Sequence, residues 1–262
     1  MHYDISGTVL QTLTIALSPD DRLWSQTHAM AWMSDGVTMD THTGGGMMAG
    51  LGRALGGGSF FITEYASGAA GGEIAFAPHF PGQIIAMTLA EGESIVCRRE
   101  TFLCSEASVR LDVILQRTIP AGLFAGQGFV VQKVSGPGTV WLDLSGDVVE
   151  KTLAPGERLR VQAGHIGMQE PSVAIDVVLV DGLSNMLFSG TGLFMATLTG
   201  PGRVWLQTMP IASLAEAIAR YLPRSNAANV GIGAAVGGAV GGMVADGAAG
   251  SVIGNLLGGL LD

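Results

Sequence analysis

Five histidines, two cysteines and a scatter of carboxylates are the residues able to do acid–base, nucleophilic or metal chemistry. The histidines, His2, His28, His42, His79 and His165, stand far apart. No two lie at i, i+2 or i, i+4, the spacings that aim two imidazoles at one metal from a strand or a helix. They read as structural or exposed residues, and only convergence in space would make them a metal site. Cys97 and Cys104 lack metal spacing and are too few for a disulfide framework. They could face each other across a hairpin, but two reduced thiols in a cytosolic protein is the preferred reading. No Gly-Lys pair exists to build a phosphate-binding P-loop. Gly231-Ile232-Gly233 is followed by Val236 where a dinucleotide fingerprint needs its last glycine. No Gly-x-Ser-x-Gly elbow presents a nucleophile.

Glu93 and Glu157 each follow glycine in equivalent Gly-Glu turns. Two carboxylates can share acid and base roles. Because this motif repeats, the better reading is that each caps its own turn by accepting backbone N–H bonds. Trp141 and Trp205 are likewise repeat-equivalent and read as packing residues. The sequence therefore assigns no catalytic, cofactor-binding or metal-binding residue and implies no cofactor.

The elements that carry these residues form an internal repeat, the feature to be sought first. Gly126-Gln127-Gly128 opens a segment running through Gly136-Pro137-Gly138-Thr139-Val140-Trp141-Leu142. Gly190-Thr191-Gly192 opens another, through Gly200-Pro201-Gly202-Arg203-Val204-Trp205-Leu206, at an offset of 64. Leu89-Ala90-Glu91-Gly92-Glu93 and Leu153-Ala154-Pro155-Gly156-Glu157 keep that offset, as do Glu106, Ser108 and Val109 with Glu170, Ser172 and Val173. A fainter copy starts at Leu17-Ser18-Pro19-Asp20-Asp21-Arg22-Leu23, continues in Ser59-Phe60-Phe61-Ile62 and Gly72-Glu73-Ile74-Ala75-Phe76, and is stretched by Gly44 to Gly58. The modules read as roughly 7–80, 81–145 and 146–210. In this alignment His165 occupies the place Ala29 holds in the first module, so any role it has belongs to one module alone.

Short β-branched and aromatic runs such as Val140-Trp141-Leu142, Val177-Val178-Leu179-Val180 and Phe129-Val130-Val131 predict strands. Gly-Pro-Gly, Pro-Gly-Glu and Ser-Gly-Asp bound them, with proline presetting φ and glycine supplying φ > 0. Turns every 8 to 12 residues suit a sandwich or barrel. The fold class is all-β: three tandem sandwich or prism modules of about 64–72 residues across 1–210. The apolar glycine stretch from Gly44 to Gly58 reads as an inter-subunit contact in preference to a ligand lid.

Composition narrows the function. Charged residues make up 13% of the chain and glycine 40 of 262 positions. Against the ordinary ~25% charge and ~7% glycine, this implies many turns and much buried or associating surface. The net charge of −9 argues against non-specific binding to nucleic acid. The N-terminus carries Asp4 and no basic residue before Arg22, unlike a signal or transit peptide, so a cytoplasmic location is expected.

The chain resembles the altered inheritance of mitochondria protein 24 family. The resemblance rests on Ser59-Phe60-Phe61-Ile62-Thr63, Phe80-Pro81-Gly82, Glu100-Thr101-Phe102-Leu103, Leu153-Ala154-Pro155-Gly156-Glu157 and Gly200-Pro201-Gly202-Arg203-Val204-Trp205-Leu206-Gln207-Thr208. It implies three modules like the small β-module of the tryptophan RNA-binding attenuation protein. It also implies homotrimers, so nine modules in a pseudo-symmetric ring. No catalytic residue comes with it, and likeness to an RNA binder does not transfer function.

After Ile211 the character changes. Ser213-Leu214-Ala215-Glu216 reads as a capping box opening an amphipathic helix over 211–223, with Leu214, Ile218, Tyr221 and Leu222 on one face and Pro223 ending it. Residues 224–262 form a Gly/Ala-rich helical or flexible tail. Ala227 to Ala245 carry no charge; as a helix they would span roughly 28 Å, near the ~30 Å of a bilayer core. Gly233, Gly237 and Gly241, then Gly250, Gly254 and Gly258, recur four apart, as in glycine zippers, where small residues let helices approach closely. Against insertion, glycine costs a helix up to about 1 kcal/mol relative to Ala in water. Membrane or lipid contact, packing on the ring and disorder all stay open for the tail. The reading as a whole is a non-enzymatic homo-oligomeric scaffold, with a small-molecule binder or enzyme using a site between modules as the alternative.

Overall fold

The structure is a computed structural model that describes residues 1–26, 29–43, 61–78, 80–114, 131–179, 194–219 and 221. The leading strand β1 (His2–Ser6) precedes three modules. The first contains β2 (Thr12–Leu17), β3 (Arg22–Gln26), β4 (Met30–Met33), β5 (Val37–Thr43), β6 (Phe61–Ser67) and β7 (Gly72–Phe76). The second contains β8 (Gly82–Leu89), β9 (Ser94–Arg98), β10 (Phe102–Glu106), β11 (Arg110–Ile114), β12 (Val131–Ser135) and β13 (Gly138–Ser145). The third contains β14 (Val148–Leu153), β15 (Arg158–Gln162), β16 (Ile166–Gln169), β17 (Ala174–Leu179), β18 (Phe194–Thr199) and β19 (Gly202–Gln207). The only α-helix among the described residues, α1 (Ile211–Ala219), follows.

The turn that opens each module is built the same way three times. The side chains of Asp21, Glu93 and Glu157 accept the backbone N–H of Ser18, Ala90 and Ala154, each at 2.8 Å. Left-handed backbone is needed one residue earlier, and Gly92 and Gly156 supply it with φ of 85° and 78°. In the faint first copy Asp20 stands there with φ 66°; aspartate tolerates this region better than most residues with a Cβ. The third copy read in the sequence is therefore a structural equivalent, and the two glutamates are turn caps.

Each module splits into two three-stranded units. The order β2-β7-β4 recurs as β8-β13-β10 and β14-β19-β16; the order β5-β6-β3 recurs as β11-β12-β9 and β17-β18-β15. Adjacent modules are joined by strand pairing. β3 pairs with β10 and β9 with β16, both antiparallel, so each six-stranded sheet is half one module and half the next. The joints share a register: Ser25 and Trp24 face Cys104 and Ser105, as Cys97 and Val96 face Met168 and Gln169. A bulge also recurs, between Met30 and Trp32, Phe102 and Cys104, and Ile166 and Met168.

Three buried clusters lie between the sheets, and the first two borrow from the next module. Leu13, Ile15, Leu23, Tyr65, Ile74 and Phe76 of the first cluster are completed by Ile84, Leu103, Cys104 and Trp141. The second, around Ile95, Val134, Val140 and Leu142, receives Met168 and Trp205. Among the described residues the third, Leu153, Val161, Ala163, Ile166, Val173, Ala196, Leu198 and Val204, draws on its own module alone. Strand β13 thus buries both faces, Trp141 toward one core and Val140 and Leu142 toward the next. That two-sided burial explains the unbroken apolar run Val140-Trp141-Leu142 where a half-exposed strand would alternate.

One alternative is set aside and one expectation changes. The cysteines do not face each other: Cys104 packs in the first cluster and Cys97 in the second, both as free thiols. Strands β9 and β10 follow one another in the chain but enter different sheets. The helix begins before Ser213, so Ser213 is not its cap. The Pro210 carbonyl accepts the first helical bond, from Leu214 N–H at 3.2 Å, which puts Pro210 at the N-cap. Leu222, Pro223, the Gly44–Gly58 stretch and the tail glycines lie outside the described residues.

Candidate functional site

Among the described residues no group of three or more His, Cys, Asp or Glu could hold a metal ion. His165 contacts the Gln207 carbonyl through Nδ1 at 2.8 Å, tying β19 to the turn before β16. His2 sits exposed on β1. His42 lies on β5, while His28 and His79 lie outside the described residues. A small apolar depression of about 10 Å³, bounded by Cys97, Val131, Ile166, Met168, Gln169 and Ile175, has room for one water molecule.

The two thiols are poorly suited to nucleophilic work. Burial pushes Cys97 up to about 12, overcoming a hydrogen bond from Gln132, and burial also drives Cys104 well above the ordinary thiol range. Asp143, on β13, is raised to about 7 by burial, and its Oδ1 is buried with no hydrogen-bond partner. The residue in its place in the third module, Gln207, is satisfied: Oε1 accepts from Ser145 N–H at 3.1 Å and Nε2 donates to the Gly164 carbonyl at 2.9 Å. Burial is the one cause of its shift, with no charged partner contributing among the described residues, so no acid–base pair is formed there.

The turn hairpins carry the most developed polar cluster. Glu106 Oε2 accepts the Thr139 N–H and Glu170 Oε2 the Arg203 N–H, each at 2.9 Å. In the first module Ser34 Oγ takes that role for Glu73 N–H at 2.9 Å. Arg203 also lies 5.0 Å over the Trp205 ring, and Trp205 Nε1 donates to Glu150 at 3.0 Å. These groups hold hairpins together and spend their polar atoms on one another.

What the repeat leaves unused is backbone. Strand β4 ends the first sheet, β1-β2-β7-β4, and β15 ends the last, β15-β18-β17. By module equivalence β4 matches β10 and β16, and β15 matches β3 and β9. Among the end strands of the described residues, β4 and β15 are thus the two that match the halves of the joint already made twice inside the chain. Open edges template further pairing unless blocked. Apolar side chains flank the first of them: Trp32 is 51% exposed, whereas its equivalents Cys104 and Met168 are 0% and 1% exposed.

Sequence reasoning missed Trp32 and both edges. The available signal was the register of the three modules. Where modules two and three place tryptophan on the central strand beside a smaller neighbour, Trp141 with Cys104 and Trp205 with Met168, the first has Ala75 there and tryptophan on β4. The tail association residues Gly233, Gly237, Gly241, Gly250, Gly254 and Gly258 lie outside the described residues. No helix among the described residues is long and apolar enough to cross a membrane.

A family model described as mitochondrial biogenesis AIM24 matches residues 3–209. An uncharacterized protein of Streptococcus pyogenes serotype M6 is 28% identical over 221 residues, covering 81% of this chain and 87% of that protein. An X-ray crystal structure of another Streptococcus pyogenes protein superposes with a TM-score of 0.69 at 24% identity, covering 84% of this chain and 99% of that one. The latter likeness is one of fold.

Proposed function

The chain belongs to the mitochondrial biogenesis AIM24 family, and from that premise we propose that it is a non-enzymatic scaffold that works as a closed homo-oligomer. One observation supports this reading: among the described residues, the pairing that joins module one to two and two to three leaves its two halves open at β4 and β15. The step relating successive modules does not return to the start after three, since β15 and β4 of one chain do not pair. Repeating the step through further copies joins β15 of one chain to β4 of the next. A head-to-tail interface of this kind closes when the rotations sum to a full turn. The family resemblance favours three copies, so nine modules in the ring.

The low charge and high glycine content fit a molecule whose apolar flanks are shared between modules and copies. The tail beyond 223 then serves self-association, docking on a partner or contact with a membrane, with the ring placing several tails together. Multiplying a weak contact in this way raises its avidity without strengthening any single copy. The acidic net charge fits a protein or lipid partner better than nucleic acid, and a cytoplasmic ring with its tails at a membrane surface accommodates both.

Light scattering and native mass spectrometry of the full chain, with and without lipid vesicles, test the proposal. A single closed species of three copies is expected, with any vesicle binding lost in a chain ending at Pro223. A compact monomer at tens of micromolar would overturn the scaffold reading.

A further inference from the structure

We propose that Trp32 is the side chain that completes the third core of the neighbouring copy, with β4 and β15 paired in the register Trp32↔Val161, Met33↔Arg160 and Ser34↔Leu159. This deepens the assembly reading and rests on it. The register follows from the two joints inside the chain. Cys104↔Ser25 and Ser105↔Trp24 define one, and Met168↔Cys97 and Gln169↔Val96 the other. Trp32 is the counterpart of Cys104 and Met168, and Val161 that of Ser25 and Cys97.

Three observations converge on Trp32. First, its counterparts are almost wholly buried, and each lies in the core of the module preceding its own, Cys104 in the first and Met168 in the second. Trp32 belongs to the first module, so its target lies in a preceding third module, which only another copy can supply. Second, among the described residues the third core is the one that receives nothing from a following module. Third, the exchange of bulk between strands keeps the volume offered to the preceding core similar. Ala75 with Trp32 replaces the pairs Trp141 with Cys104 and Trp205 with Met168. A large aromatic left half exposed on one edge and a core short of one on the other are complementary surfaces of a single chain type.

The backbone at the end of the joint agrees. Ala107 N–H donates to the Arg22 carbonyl at 3.2 Å beside the first joint. Their counterparts are Asp35 and Arg158, so the copy-to-copy joint sets an acidic residue of one chain opposite a basic residue of the next. Opposite charges across paired strands favour this register and oppose slippage. Among other occupants of the edge, the tail of the same chain would not repeat the internal joint, which pairs a strand with a strand in fixed register.

The test uses the full chain. In the Ser34→Cys/Leu159→Cys double variant, mild oxidation should yield covalent species up to the mass of the ring. Ser34→Cys/Arg160→Cys, one residue out of register, should yield at least ten-fold less. Native Cys97 and Cys104 are both buried and stay out of the reaction. Independently, Trp32→Glu should dissociate the assembly, raising the subunit dissociation constant at least 100-fold while leaving the circular dichroism spectrum of the β domain unchanged. Trp32→Phe should retain assembly. Full assembly of Trp32→Glu, or a persistent ring without cross-linking at 34/159, would overturn the register and leave the scaffold reading standing. A wild-type monomer would overturn both. A monomer in which Trp32 is shielded from acrylamide only while the tail is present would assign the edge to residues 224–262 instead.

Discussion

Arg203 holds Glu170 from two directions: its backbone N–H reaches Oε2 at 2.9 Å and its Nε reaches Oε1 at 2.7 Å. The pair closes the hairpin between β18 and β19 onto the turn that follows β16, the place where Glu106 and Thr139 meet in the second module. Partial burial pulls the Glu170 carboxyl upward, but the Arg203 amide, side chain and charge together hold it below its ordinary value. A carboxylate whose folded pKa is depressed contributes stability above its unfolded pKa, about 4.3, and that contribution fades as pH falls through the folded value. Glu170→Gln should therefore cost at most about 1 kcal/mol at pH 7, as expected for a solvent-facing pair. The difference from wild type should shrink as pH falls below that unfolded value. Urea melts at pH 7, 5 and 3 measure it.

Asp143 has the opposite sign. Its folded pKa of about 7 lies above the unfolded value near 4, because burial disfavours the charged form. Stability falls as pH rises from about 4 to about 7 and is flat beyond. Asp143→Asn removes that dependence while keeping the shape, and moves the residue toward the neutral amide of Gln207. The variant should be more stable than wild type at pH 8, by roughly 1–3 kcal/mol given the cost of an unsatisfied buried group, and little different at pH 4. Thermal denaturation at the two pH values decides it.

Trp141 is wholly buried, contacts Tyr3 edge-on at 5.3 Å between ring centroids, and fills the first core from the second module. Trp141→Ala should cost about 3–5 kcal/mol, the range for emptying an aromatic site that cannot collapse. Because that side chain bridges two modules, denaturant curves followed by tryptophan fluorescence and by circular dichroism should separate in the variant and coincide in wild type.

Both cysteines are buried and held as thiols. Reaction with a thiol-specific aromatic disulfide at pH 8 should be at least ~100-fold slower in the native protein than in 6 M urea, with two equivalents released on unfolding. Rapid native labelling would show that one of the cores opens.

The sequence determined the number of modules, their β character and their turns. Turn chemistry is local: Asp21, Glu93 and Glu157 each cap within three residues, and φ > 0 at Asp20, Gly92 and Gly156 demands particular side chains. Such constraints are written in adjacent letters and repeat with the module. What only the tertiary structure decided is where each module gives its strands. Modules 7–80, 81–145 and 146–210 look self-contained as text, yet each divides between two sheets, and Trp141 and Trp205 serve the core before their own. An apolar residue records that it is to be buried, not by which neighbour. The direction of burial follows from strand alternation and from the β3·β10 and β9·β16 pairings, whose partners lie roughly seventy to eighty residues apart, beyond the reach of any local pattern. For the same reason Trp32 carried no local mark, and its meaning emerged only when its two equivalents were seen enclosed.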